Sequence, residues 1–463
     1  MKENIELLAE ETRLLVDTGD TDMLRVFLDD LNISDVEDLI DELPEYAPLF
    51  INTMSINRAV NVFRILDVPT QERTITKLSA HKISEIINGL PPDDRTAFFG
   101  ELKNQELQHR LISLLSPEDR REVFTLLSYP EDSIGRMMTP DFLAIPKNFT
   151  VGDTLKYIRL NAKNSETIDV IYILEENGVL IDDLRIKELL TNDPKTRISD
   201  LIDGRLISLN AQDPVEEGIK IFKMNNRVAL PVIDSGGILL GIVTIDDILW
   251  AADEEYSEDM QRMGGIAALD EPYLDLPVYK LIWKRAGWLI VLFIGELLTA
   301  SVMQYYEEQL AQVIVLALFL PLMISSGGNS GSQASTLVIQ AMATGEVKLK
   351  DWWRVFRREI VSGFSLGIIL GIIGFFRIYI WHLIFPNLYG EHWTMVGSTV
   401  SLALVGIVMW GSLIGSMLPF ILRRLGADPA TSSAPFVATI VDVTGLMIYL
   451  TIASWIFGPL MHP

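Results

Sequence analysis

Hydrophobic and polar positions alternate in three different ways along the 463 residues. Up to about residue 130 the apolar residues recur at helical spacing in short segments. Several segments open on proline followed by acids: Leu43-Pro44-Glu45, Leu90-Pro91-Pro92-Asp93-Asp94 and Leu115-Ser116-Pro117-Glu118-Asp119. Ser, Pro and acids suit the first turn of a helix, where free N–H groups and the dipole favour them. Their recurrence every 25–45 residues predicts an all-α superhelical N-domain over residues 1–130. Between residues 137 and 250 short apolar runs at 170–174, 229–233 and 239–243 predict buried strands with helical segments between them, an α/β arrangement. The last part is different again. Five stretches, roughly 286–305, 313–343, 360–384, 396–422 and 432–460, are long enough to cross a hydrocarbon core of about 30 Å.

Charge divides the chain in the same place. Apolar residues make up 49% and charged residues 22%, with 38 Lys+Arg against 62 Asp+Glu, a net charge of −24. Residues 276–463 hold eleven bases and nine acids, a net of +2; the remaining 27 bases and 53 acids give the first part −26. Nucleic acid is excluded as a simple partner, because phosphate backbones select basic faces. No cysteine is present, which removes disulfides, thiolate metal sites and cysteine nucleophiles. The first residues, Met1-Lys2-Glu3-Asn4, lack the apolar core of a signal peptide, so the acidic part is expected in the cytoplasm. Lys280, Lys284 and Arg285 precede the first span. Lys348, Lys350, Arg354, Arg357 and Arg358 follow the second, and Arg423 and Arg424 follow the fourth; the other connections carry Glu307, Glu308 and Glu391. The positive-inside rule then predicts a multi-pass protein of the cell (inner) membrane, N-terminus cytoplasmic and C-terminus outside.

Candidate chemistry sits at membrane depth. The second span is interrupted by Ser325-Ser326-Gly327-Gly328-Asn329-Ser330-Gly331-Ser332-Gln333. Backbone loosened there must be buried or line a wet cavity. The alternative is a helix-packing seam, of the kind that Gly363, Gly367 and Gly371 suggest in the third span. Asp442 lies about ten residues into the fifth span, at a cost of roughly 2.5–3.5 kcal/mol on insertion scales, which marks a bundle interior or an ion path. Its structural alternative is a partner such as Arg377. Glu296, midway along the first span, could line the same path, share a proton or pair with Arg377. A carboxylate, an Asn amide and carbonyls are oxygen donors, suited to hard divalent cations and above all to Mg²⁺, which keeps several waters. No P-loop is present. None is required, since a divalent ion entering a negative interior gains about 4.6 kcal/mol per 100 mV, twice the single-charge value. Just before the first span, Asp253, Glu254, Glu255, Glu258 and Asp259 crowd like charges at i,i+3 and i,i+4, so water or a cation must screen them.

Residues 206–222, then Leu230-Pro231-Val232-Ile233-Asp234 and 241–247, are similar to a CBS domain; a weaker copy starts at Met137-Met138-Thr139-Pro140 and runs through residues 150–155. The first copy departs at Ile181-Asp182-Asp183-Leu184, where a Gly-led strand is expected. In that resemblance Thr244 and Asp247 match the pair that contacts a ribose, so ATP is a possible ligand. Taken together, this order of segments, the stretch from Tyr129 to Thr139, the Gly327–Gln333 motif and the run from Pro435 to Gly445 resemble the MgtE family of magnesium transporters over nearly the whole chain. The resemblance implies an N-domain (1–130), tandem CBS domains (137–200 and 201–250), an acidic linker (plug) helix (251–280) and a five-helix transmembrane domain (281–463). It implies a homodimer in the lipid bilayer, not an enzyme, that passes Mg²⁺ inward down its gradient; Mn²⁺ or Co²⁺ would pass too where positions that depart from the family loosen selectivity. Asp442 would be the pore carboxylate, with Ala438, Ser325, Gly328 and Asn329 around the hydrated ion and Glu296 nearby. Cytoplasmic Mg²⁺ would close the path at Glu255, Glu258, Asp259 and Asp428 near its mouth and at Asp93 and Asp247. Ala97, Asn226, Trp250 and Ala434 depart from positions where relatives carry polar or acidic residues, which points to altered sensing or selectivity. Two other classes fit less of the chain. Gly328-Asn329-Ser330-Gly331 with His382 resembles an intramembrane serine protease, and the CBS pair alone would suit a nucleotide-sensing membrane protein without transport.

Overall fold

The computed structural model describes residues 2–269, 273, 274, 276–386 and 388–461, in two compact units that meet between Glu254 and Glu255.

The first unit begins with short helices, from Lys2–Thr18 to Pro117–Leu127. Their N-termini are capped as the sequence suggests. Asp20, Asp67, Ser79, Asn104 and Ser116 accept backbone N–H bonds from their own first turns, and Pro92 and Pro117 occupy the opening position. Leu28, Phe50, Phe63, Phe99 and Leu111 belong to one continuous core, with Phe63 meeting Phe98 edge to face at 5.5 Å. Arg95 is buried and ties this packing together. It donates to the carbonyls of Ile87 and Leu90 and pairs with Asp119 at 2.7 Å and Glu122 at 3.2 Å.

Two three-stranded sheets follow. The first is β1 (Ala144–Pro146), β2 (Val170–Leu174) and β3 (Leu180–Arg185); the second is β4 (Leu209–Asn210), β5 (Ala229–Ile233) and β6 (Leu239–Thr244). In each the first pair is parallel and the second antiparallel, so the repeat expected from sequence is a repeat of topology. The irregular Ile181-Asp182-Asp183-Leu184 still forms a strand because its acids are satisfied. Asp182 accepts from the N–H groups of Asp203 and Gly204, and Asp183 pairs with Arg227 at 2.7 Å. The sheets are stitched by Leu180 N–H to Gly237 and Leu239 N–H to Gly178. Ile134 and Met138, at the junction, pack into the core of the second repeat with Leu209, Phe222 and Val232. The acidic linker is helical over Ile245–Met263, and Gly265, with φ of +73°, breaks it.

The second unit carries five helices long and apolar enough to cross a membrane: Val278–Tyr305, Ile314–Ala343, Leu349–Ile384, Gly390–Arg424 and Ala434–Gly458. The second, fourth and fifth form the packed centre, around Met323, Ile407 and Tyr449. The first leaves nearly all its apolar surface open.

The polar run 325–333 lies inside an unbroken helix, Leu320–Ala343, so the expected loosening of its backbone is not found. The reason is the seam on one side. A Cβ at Gly415 would lie 2.0 Å from the Gly331 carbonyl oxygen, and one at Gly411 would lie 2.5 Å from that of Gly327. Close approach of the second and fourth spans compensates for the poor helix propensity of glycine.

Candidate functional site

The Gly/Ser motif presents two faces. Gly327, Ser330 and Gly331 are buried against the fourth span, and the Ser330 hydroxyl bonds to Ser412 at 2.8 Å and to the Val408 carbonyl at 3.1 Å. Ser332 and Ser335 donate to the carbonyls of Ala434 and Ser432, which anchors the start of the fifth span. The opposite face is exposed in the single chain. Ser325 and Asn329 lie on it, joined by a 3.3 Å hydrogen bond, and Gln333, Thr336 and Gln340 continue the line. These five polar residues follow steps of four, four, three and four, one stripe along a helix. Thr336 and Gln340 were not expected from the motif; the spacing alone would have found them.

The fifth span flanks that stripe. A Cβ at Gly328 would lie 3.2 Å from an Asp442 carboxylate oxygen and 3.4 Å from the Ala438 methyl, so glycine is what allows the acid to sit there. Asp442 and Ala438 are half-buried. No hydrogen bond or ion pair to Asp442 occurs among the described residues, and Glu296 is close enough to repel it. Glu296 is exposed. The residue before it, Gly295, packs on Thr439 of the fifth span, 2.7 Å from where a Cβ would stand. Arg377 is not the partner of either acid. It donates to the Tyr389 hydroxyl at 2.7 Å and lies over the Trp381 ring at 4.7 Å. Ser325, Asn329, Asp442 and Glu296 thus bring carboxylate, amide and hydroxyl groups from three helices to surface that lipid would not solvate, with Gly328 buried where Asp442 and Ala438 pack on it.

The protease arrangement is not formed. Ser330 spends its hydroxyl on Ser412 and Val408, while His382 stacks on Trp393 with ring centroids 4.9 Å apart.

Two acidic clusters lie elsewhere. In the first unit Asp93, Asp94, Glu166 and Asp247 surround Arg64, which pairs with Asp94 at 2.8 Å. Burial, followed by Asp247, Asp94 and Glu166, holds the Asp93 carboxyl well above the usual carboxylate range, and one of its oxygens has no hydrogen-bond partner. Burial pushes the Asp94 carboxyl up to about 6 against the pull of Arg64. Burial also raises Asp247, although the Thr244 hydroxyl donates to it. The two residues matched to a ribose contact are therefore bonded to each other. Asn226, at a helix C-terminus, takes a left-handed φ of 48°, while Trp250 is exposed. In the second unit Glu258 and Asp428 are brought together across Arg262, at 2.7 and 2.8 Å. Glu255 and Asp259 lie on the same helix as Glu258. Among the described residues, no three His, Asp or Glu side chains gather as a ready-made metal site.

Comparison with known proteins agrees with this layout. A family model described as divalent cation transporter matches residues 320–452, one described as MgtE intracellular N domain matches 31–132, and a CBS domain model matches 198–254. A Thermus thermophilus protein named magnesium transporter MgtE is 34% identical over 451 residues, 97% of this chain and 98% of that one. A Bacillus subtilis protein of the same name is 28% identical over 442 residues, 95% of each chain. A crystal structure of the cytosolic domain of the Mg²⁺ channel MgtE in complex with ATP is similar at TM-score 0.51 and 30% identity, covering 52% of this chain and 99% of that one. With its helical N-domain, CBS fold and five apolar helices, the chain is a multi-pass membrane protein and belongs to the MgtE family of divalent cation transporters.

Proposed function

We propose that this protein is a gated path for Mg²⁺, carrying it into the cytoplasm down the electrochemical gradient. One observation carries the reading: a carboxylate at membrane depth, Asp442, makes no ion pair among the described residues and stands beside an exposed polar stripe. A stripe of Ser, Asn, Thr and Gln would be costly against lipid and is well suited to water or a second copy. In a two-fold dimer the two stripes and two Asp442 side chains would face one passage. The ion would keep most of its water, so helical carbonyls near Ser325, Gly328 and Ala438 can accept from that water with their free lone pairs. Mn²⁺ and Co²⁺ share the preference for oxygen and would be competing cargoes.

Closure follows from the acidic clusters. Like charges crowded at Asp93, Asp94 and Asp247 favour separation when cations are scarce, and Glu255, Glu258, Asp259 and Asp428 offer further carboxylates for a divalent ion to bridge. Divalent cations favour the compact state, so abundance shifts the population toward closure. The N-terminus would be cytoplasmic and the C-terminus outside, by the distribution of Lys and Arg. ATP binding at the CBS pair is supported by the similarity to the ATP-bound cytosolic domain of the Mg²⁺ channel MgtE. It requires Thr244 and Asp247 to exchange their mutual bond for the nucleotide. The test is uptake of ²⁸Mg into liposomes. Asp442→Ala should abolish uptake while Ser330→Ala retains it; unchanged uptake in Asp442→Ala would refute the reading.

A further inference from the structure

Three acidic residues of the linker helix, Glu255, Glu258 and Asp259, and Asp428 ahead of the fifth span are the groups that a divalent ion would draw together at the mouth of the path. Between Glu258 and Asp428 the chain already supplies a cation. One terminal nitrogen of Arg262 donates to Glu258 at 2.7 Å and the other to Asp428 at 2.8 Å. This is the fork geometry in which a guanidinium outperforms an ammonium, because two separate N–H groups engage two acceptors at fixed angles. Asp428 is itself held in place, since its second oxygen accepts from the Ala430 N–H at 2.8 Å in the turn that starts the fifth span.

The surrounding contacts close the same joint. Gln261 accepts from the Leu269 N–H at 2.7 Å, and Lys284 of the first span donates to the Ala268 carbonyl at 2.6 Å. Trp288 donates to Ser433 at 3.1 Å, and its ring lies 2.6 Å from where a Cβ on Gly265 would stand.

We propose that Arg262 is a tethered competitor of the regulatory divalent ion and so a determinant of the concentration at which the path closes. When the ion is scarce, the guanidinium holds the end of the linker helix to the turn before the fifth span. A divalent ion can bridge Glu258 and Asp428 only by displacing it. The exchange is balanced in charge: one positive charge between two carboxylates leaves a residual negative charge that attracts a divalent cation, which neutralises both. The inference rests on the reading that cytoplasmic Mg²⁺ closes the path.

The test is hydrogen exchange by mass spectrometry on the full chain in lipid nanodiscs, titrated with MgCl₂ and read at peptides covering residues 255–263 and 426–433, with ²⁸Mg flux measured in parallel. Arg262→Gln should raise exchange at both peptides without Mg²⁺. It should also lower the Mg²⁺ midpoint for protection and for closure by about three- to tenfold, the value of two half-exposed ion pairs. Arg262→Lys, a single point charge that cannot span both acids, should fall between. If Arg262→Gln yields no folded protein, the Lys variant carries the same test. Equal exchange and equal midpoints in variant and parent would overturn the proposal. If the parent itself closes in flux and gains protection with Mg²⁺, that failure belongs to Arg262 alone. A parent insensitive to Mg²⁺ in both readouts would instead remove the gating reading on which it rests.

Discussion

Gly415→Ala is the sharpest perturbation of the membrane framework. The added methyl would stand 2.0 Å from the Gly331 carbonyl oxygen, 2.8 Å from its carbon and 3.0 Å from its Cα. All three are backbone atoms, so no side chain can turn aside. Restoring ordinary contact requires the second and fourth spans to part by more than an ångström, which strips packing from the seam and strains the Ser330–Ser412 hydrogen bond of 2.8 Å. Overpacking against side chains typically costs 1–3 kcal/mol, and a backbone clash belongs at or above the top, about 3 kcal/mol. Gly287→Ala is the control. It lies in the first span with nothing within 4 Å of its Cβ position, and alanine is the better helix former, so it should be neutral or slightly stabilising. Unfolding of purified protein in a mixed-micelle denaturant titration measures both. Because the displaced span also carries Asn329, Mg²⁺ flux in Gly415→Ala should fall with stability. Equal stability of Gly415→Ala and Gly287→Ala would refute the close helix–helix approach.

The acidic cluster of the first unit gives a pH prediction. The Asp94 carboxyl, held near 6, binds a proton in the folded state that the unfolded chain releases near its usual value. Stability therefore falls as pH rises through that interval, by roughly 2–3 kcal/mol from this group, and Asp93 and Asp247 act in the same direction. The thermal midpoint of the first unit in the full chain, in chelator, should rise from about pH 7 to about pH 5. Saturating Mg²⁺ at neutral pH should recover much of the difference; a midpoint that falls with acidification would contradict the cluster. For the stripe, Asn329→Leu and Gln333→Leu should depress Mg²⁺ flux while leaving the unfolding free energy within about 0.5 kcal/mol, as substitutions on an open face do. Unchanged flux in both would take the stripe off the path.

Much of this was legible in residue patterns. Five apolar stretches became five long helices, and the strands at 170–174, 229–233 and 239–243 appeared with at most one residue's difference. Long periodic segments advertise themselves by length and by uniform apolarity. The short strands β1 and β4, of three and two residues, carried no such signal. The Gly/Ser run was misread as loosened backbone, because propensity counts only the cost of glycine and not the packing that offsets it across the seam with Gly411 and Gly415. The packing-seam reading holds on one face of that helix, and the other face carries the exposed polar stripe. Asp442 and Ala438 stand against Gly328, Ser325 and Asn329 lie on the exposed face of the same helix, and Gly295 packs the first span, with Glu296, on the fifth. Arg262 could not be anticipated. Its meaning depends on Asp428, 166 positions away, and no local spacing encodes that pair.

The central claim is that the Asp442 carboxylate attracts the hydrated divalent ion as it crosses. Asp442→Asn keeps the shape of the side chain, removes its charge and turns one acceptor oxygen into an N–H donor. Even through one layer of water, a divalent ion and a carboxylate attract by several kcal/mol at an effective dielectric of about 20, far more than a tenfold effect requires. Currents recorded across planar bilayers under a Mg²⁺ gradient should therefore fall at least about tenfold in Asp442→Asn and recover in part in Asp442→Glu. Mg²⁺ currents of parental size in Asp442→Asn would contradict the account.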